Sequence, residues 1–330
     1  MNSTEILENL YYEINSIYPL ILIPLGTIGN LIVIFIYTRK EFFITSTGFY
    51  FAFSAIIDTL ALYFGSIKYA YLGFKREGML DTSDFMCKFF TFTIYALVAI
   101  SAWTLVAINI DRLLYFYSTI IINHLHKIKW QTIIILIMVS IILLLNIPNL
   151  FFNKLKDSEC YTSPYGYRVM NIIDNVFSIL LPYSIMIISD VCMVLKMFKS
   201  KNKVLERKKS QKVAFHYMFL AVGRSSMFLI LNSPLSIFLL YVSLKETDID
   251  YYDKVIFTIL NSLCYLNYSI NLFVHLILNK CFRNRILRII KFSYSKSLRF
   301  FSTKTEITLK SNQVSRLTKI SNRQPVLVAN

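Results

Sequence analysis

The chain has 330 residues, 55% of them hydrophobic and 16% charged, with a mean hydropathy of +0.53 and a formal charge of +16. Eight glycines and seven prolines are too few for a collagenous or low-complexity chain, and the apolar fraction excludes disorder as the dominant state. A soluble domain would alternate apolar and polar residues, whereas here the apolar residues gather into blocks almost free of charge.

Seven such blocks run over residues 17–38, 47–67, 89–110, 131–153, 169–195, 213–244 and 255–279. Each holds about 20 or more residues, enough for a helix across a hydrocarbon core of ~30 Å, and lipid requires each segment to satisfy its own backbone hydrogen bonds. The first carries Gly29-Asn30 and the second Asp58. The third follows Cys87 and ends on Asp111-Arg112. The fifth contains Pro182 and Asp190, the sixth Arg224, Asn232 and Pro234, and the seventh Asn267, Asn271 and His275. Pro182 and Pro234 predict helix kinks. Short connections predict antiparallel neighbours, so the expected fold is an all-α seven-transmembrane helix bundle. No repeat suggests two equal halves.

Orientation follows from the basic residues. The segments before the second, fourth and sixth blocks, together with the tail, hold 25 of the 35 Lys and Arg. The positive-inside tendency puts that side in the cytosol and the N-terminus outside. The positive charge is therefore a topology signal: its clusters flank membrane spans, so anionic lipid, and no nucleic acid, is the expected partner. No cleavable signal peptide is expected, because an acidic segment (Glu5, Glu8, Glu13) precedes a first block too long for a signal core. Asn2-Ser3-Thr4 is a glycosylation sequon on the outer side.

Four segments result: an extracellular N-terminus over 1–16, the bundle over 17–279, an amphipathic interfacial helix over 280–292 and a disordered cytoplasmic tail over 293–330. In the interfacial helix, Phe282, Ile286, Ile289 and Ile290 share one face, while Arg283, Arg285, Arg288 and Lys291 oppose them. Of the five cysteines, Cys192 and Cys264 lie in spans and Cys281 is cytosolic, which leaves Cys87 and Cys160 on the oxidising side. A disulfide between those two would clamp the loop after the fourth span over the bundle mouth. No Cys/His spacing resembles a zinc site, and no cofactor is expected.

In this order and spacing, Asn30, Asp58, Cys87, Asp111-Arg112, Pro182, Pro234 and Asn271-Leu272-Phe273-Val274-His275 resemble the rhodopsin-like (class A) G-protein-coupled receptors over residues 16–292. Several positions depart from that pattern. Leu113 follows Asp111-Arg112 in place of Tyr, Asn232 stands where an aromatic switch is usual, and the seventh-span motif lacks both its Pro and its Tyr. Trp130 sits at the membrane edge, and Asp190 replaces a fifth-span Tyr. The resemblance implies a receptor and not an enzyme. Its partners would be an extracellular ligand, a heterotrimeric G protein at Asp111 and Arg112, and a kinase and arrestin at the tail, where Ser293–Ser321 holds eleven Ser/Thr.

Amine receptors resemble one another in a third-span Asp that is Ile94 here, and opsins in a seventh-span Lys that is Tyr265 here. The roof loop carries Lys154, Lys156, Asp157, Glu159 and Arg168, and the third outer loop Glu246, Asp248, Asp250 and Asp253. Outer segments total 9 basic against 12 acidic residues, which suits cationic peptides with amidated ends. The missing Pro also resembles invertebrate neuropeptide receptors, including FMRFamide-like ones. A receptor for a non-peptide small molecule is the alternative ligand class. A transporter or channel would show charged residues along a path, and a membrane enzyme a metal or nucleophile motif, neither of which the sequence carries.

Two expectations concern the membrane interior. The resemblance implies a pocket of Asp58, Ser101, Asn267 and Asn271, with Asn30 and Asn232 nearby, around a sodium ion. Counting from the prolines, Arg224 and Asp190 lie ~15 and ~12 Å toward the cytosol, so they share a depth on adjacent helices. The expected pair is Arg224–Asp190, with Asp190 shared with Arg112 on activation and His275 close enough to modulate it.

Overall fold

The computed structural model describes residues 3–39, 46–117, 128–201, 209–244 and 250–291. The apolar blocks form helices α1 (Ser3–Tyr37), α2 (Ser46–Lys75), α3 (Asp84–Tyr117) and α4 (Ile128–Asn146, resumed by Pro148–Phe152). The next, α5, joins Pro164–Ile173, a π-helical stretch Asp174–Leu180, and Leu181–Lys201. Then come α6 (Lys209–Leu244) and α7, which has two pieces, Tyr251–Ser269 and Asn271–Leu278. Six helices are individually long and apolar enough to cross a membrane, and the two pieces of α7, bent by 55°, make the seventh span. Asn2 and residues 293–330, with the expected sequon and tail sites, lie outside the described residues, as do Glu246 and Asp248.

Residues 1–281 form one compact unit, in which α1 packs on α2 and α7, α6 packs on α7, and α3 touches α2, α4, α5 and α6. This central place makes α3 the ruler against which the other spans are positioned. Lipid-facing rows are apolar, as with Leu136, Ile137, Ile141 and Leu144 on α4. The residues from Phe282 on belong to a second unit, in which the helix over 280–291 continues with Arg283, Arg288 and Lys291 exposed.

Several helices run past the hydropathy blocks, and two of these extensions bear on the polar residues. The first helix starts at Ser3, so residues 3–16 extend α1, and Asn15 donates a hydrogen bond to Thr258 Oγ1 of α7 at 3.3 Å. The second runs on to Lys75, which brings Lys68 from the expected outer loop into a membrane-spanning helix. Hydropathy windows end at the first cluster of polar residues, whereas the backbone hydrogen bonding continues past it.

The proline expectations also resolve unequally. Pro182 has no N–H to give, and the turn before it widens into the π-helical stretch, where the Phe177 carbonyl accepts from Trp103 Nε1 of α3 at 2.7 Å. Pro234 lies within the continuous α6. In α7 the bend occurs at Ile270 without any proline. Ser269 Oγ contacts both the Tyr265 and the Leu22 carbonyl oxygens at 3.1 Å, drawing the break toward α1. Gly26 and Gly29 leave room for it, since a Cβ at Gly26 would lie 3.0 Å from Ser269 Cα and one at Gly29 3.1 Å from Leu272 Cβ.

The connection after α4 is a hairpin, with Asn153–Lys156 antiparallel to Glu159–Thr162 and a two-residue turn at Asp157-Ser158, both with positive φ. Asp81 accepts from the Cys160 N–H at 2.7 Å and Asp84 from the Leu155 N–H at 3.0 Å, so two carboxylates hold the hairpin in place.

Gly65 on α2 faces the Tyr265 ring, whose nearest atoms a Cβ would approach to 2.2 Å. Gly65→Leu should therefore lower the thermal unfolding midpoint of the purified protein, at a cost of about 1–3 kcal/mol. Adding Tyr265→Ala to that variant should restore part of the loss.

Candidate functional site

Three polar assemblies sit along the bundle axis. At one end Cys87 and Cys160 form a disulfide with Cα atoms 5.4 Å apart, while Cys192, Cys264 and Cys281 remain thiols. The covalent tie joins the start of α3 to the hairpin. Several acids at this end have structural tasks: Asp81 and Asp84 bind the hairpin, and Asp250 caps α7 by accepting from the Asp253 N–H at 2.9 Å.

The central assembly is built on Asp58, which is fully buried. Its Oδ2 accepts from Arg224 Nη2 at 2.9 Å and, at 3.4 Å, from Asn271 Nδ2 and from Ser54 Oγ one turn earlier. Its Oδ1 accepts from Ser101 Oγ at 2.8 Å. Asn271 Nδ2 also reaches Asn30 Oδ1 at 3.0 Å, and Asn30 Nδ2 donates to the Tyr268 carbonyl at 3.1 Å. Side chains of α1, α2, α3, α6 and α7 thus meet around one carboxylate. The Arg224–Asp58 ion pair is 1% and 0% exposed.

The third assembly lies toward the Arg112 end. Asp190 of α5 accepts from Asn109 Nδ2 of α3 at 3.0 Å and from Ser225 Oγ of α6 at 2.6 Å. Arg112 pairs with its neighbour Asp111, its Nε donating at 3.0 Å, and its guanidinium stands 5.5 Å over the Tyr115 ring. His275 Nδ1 lies 2.9 Å from the Tyr37 hydroxyl, edge-on to the Tyr37 and Phe51 rings.

These positions correct the expected Arg224–Asp190 pair. Arg224 meets Asp58, and Asp190 meets Ser225, the very next residue of α6. The shared depth is right and the direction is not, because consecutive helical residues point about 100° apart. With both oxygens engaged by Asn109 and Ser225, Asp190 forms an ion pair with neither arginine.

The expected polar pocket is only partly assembled. Asn30, Asp58, Ser101 and Asn271 come together. Asn267 is fully buried with neither amide atom hydrogen-bonded, and Asn232 donates instead to the Phe228 carbonyl of its own helix at 2.8 Å. Sequence reasoning missed Ser54, Asn109, Trp103 and Ser225. Of these, Ser54 was discoverable as a hydroxyl one turn before the membrane carboxylate.

With the geometry in place, the comparison with known families is decisive. The profile described as 7 transmembrane receptor (rhodopsin family) matches residues 29–274, and the chain belongs to that family. It is a multi-pass membrane protein with the receptor architecture of that family. No individual curated protein matches it.

The sodium ion that the family pattern implies does not fit this core. The strongest cation site on Asp58 is taken by Arg224 Nη2, and a metal ion there would bring a second positive charge against a guanidinium in a low-dielectric interior. Among the described residues no cluster of His, Cys, Asp and Glu offers another metal site. The thermal unfolding midpoint of the purified protein should therefore be the same in sodium chloride and in N-methylglucamine chloride at equal ionic strength. A midpoint that rises with sodium alone would show that the ion enters despite Arg224.

Proposed function

We propose that the protein is a plasma-membrane receptor that couples an extracellular ligand, a neuropeptide, to a heterotrimeric G protein, with its N-terminus and the Cys87–Cys160 end outside. The observation that carries this reading is the family match over a bundle whose α3 carries the Asp111-Arg112 pair in its last two turns. The concentration of Lys and Arg in the segments on the Arg112 side supports a cytosolic position for that end. The acidic excess of the opposite side supports a basic peptide, although Asp81, Asp84 and Asp250 are partly committed to local structure. The tail over 293–330 supplies serines and threonines for a kinase and an arrestin, and the helix over 280–291 supplies cations for anionic lipid.

In this reading α6 is the moving element, held by Arg224 to α2 and by Ser225 to α5. A ligand opens the cytosolic end only by binding the open arrangement more tightly than the closed one. Ser225 and Asn109 hold Asp190 away from Arg112, so release of Asp190 toward Arg112 is the expected event at the G-protein end.

Nucleotide exchange on a purified heterotrimer, with the protein in lipid vesicles, tests the reading directly. Wild-type protein should accelerate exchange, and Arg112→Ala should abolish the acceleration. Ser225→Ala, which removes one restraint on α6, should raise ligand-free exchange about two- to tenfold, equivalent to one hydrogen bond of about 0.5–1.5 kcal/mol. Failure to accelerate exchange on any heterotrimer class, together with solute flux through the vesicles, would favour a transporter.

A further inference from the structure

Lys68 and Asp174 are charged residues of the spans that take no part in the assemblies above. Lys68 stands on α2 one turn beyond Gly65, in the row that contains Asp58, Ala61 and Gly65, all buried against the bundle. The lipid-facing row of the same helix is Ile56, Leu60, Tyr63 and Ile67. The Lys68 ammonium lies 4.8 Å over the Tyr69 ring, and that ring packs against Tyr18 of α1 at 6.2 Å and Tyr265 of α7 at 6.2 Å. The cation is thus held among α1, α2 and α7.

Asp174 opens the π-helical stretch of α5. It lies between Met170 and Ser178 on the row that continues through Pro182 and Met186 and faces the bundle, while Ile172 and Leu180 face lipid. Both charged residues are half-buried, both lie on the disulfide side of Asp58 and Pro182, and both of their helices pack against α3. Among the described residues neither has an ionic partner.

Unpaired charges within a membrane span are costly, and each is relieved by an opposite charge. Asp58 obtains its partner from within the chain. Lys68 and Asp174 have opposite signs, yet among the described residues they form no ion pair with each other. We propose that they are the two charge-recognition points of the ligand site, selecting a ligand that carries both a cationic group for Asp174 and a carboxylate, terminal or side-chain, for Lys68. This rests on the receptor reading and narrows it, from a basic peptide to one that is dipolar along its length. The cation–π contact with the Tyr69 ring positions the Lys68 ammonium before a ligand arrives.

The test uses the full-length purified protein and four mixture pools of N-acetylated hexapeptides. One pool has a fixed arginine with a free C-terminal carboxylate, one arginine with a C-terminal amide, one norleucine with the carboxylate, and one norleucine with the amide. The concentration dependence of the thermal unfolding midpoint gives an apparent affinity for each pool. The arginine–carboxylate pool should bind best, each charge contributing about tenfold. Lys68→Gln should erase the carboxylate advantage and spare the arginine advantage, Asp174→Asn should do the reverse, and Lys68→Arg should retain the carboxylate preference. Equal binding of all pools, loss of both advantages in either variant, or no binding by any pool would overturn the proposal. Because nucleotide exchange is measured without these peptides, intact exchange with any of those outcomes would leave the receptor reading standing and remove only the ligand class.

Discussion

A carboxylate at the centre of a lipid-embedded bundle needs a cation, a proton or hydrogen-bond donors, and for Asp58 the chain supplies an arginine. Removing one partner from a buried ion pair costs about 3–5 kcal/mol, as much as truncating a large buried apolar side chain. The Asp58–Arg224 pair therefore dictates where α6 faces α2, and the remaining valences of the carboxylate dictate the rest. Ser101 fixes the level of α3, and Asn271, shared with Asn30, fixes the second piece of α7 against α1.

The second restraint on α6 is independent of the first and begins one residue later. Arg224 turns toward α2, while Ser225 turns toward Asp190 on α5, so a single turn of α6 is attached to two helices in different directions. Rotation of α6 about its own axis would break both attachments together, whereas an outward tilt pivoting near that turn could break one first. A bundle restrained in this way resists small displacements of α6 until an attachment breaks.

Hydropathy alone revealed the seven spans, because stretches of that length almost free of charge are what a bilayer core requires. The disulfide was equally legible, since only two cysteines fell on the oxidising side. Depth was legible too: counting residues from two prolines placed Arg224 and Asp190 at a common level. Facing direction was not, because it depends on how each helix is rotated by its neighbours. An error of one residue on α6 exchanged Arg224 for Ser225 and so misassigned both partners. The α7 bend shows the converse, a feature kept after its usual sequence signal is lost. Ser269 and the glycines of α1 produce it at Ile270 without proline. Asn232 failed to join the core for a similar reason, as a polar residue four positions after a carbonyl can bond its own helix instead of a distant partner.

The centrality of Asp58–Arg224 is most directly tested by a double-mutant cycle on thermal stability with Asp58→Asn, Arg224→Gln and the double variant, run beside a control cycle of Asp190→Asn with Arg224→Gln. The structure predicts a coupling of about 1–3 kcal/mol in the first cycle and additivity within about 0.5 kcal/mol in the control. Additivity in the first cycle, with coupling in the second, would mean that Arg224 reaches Asp190 after all and that the core is organised around a different pair.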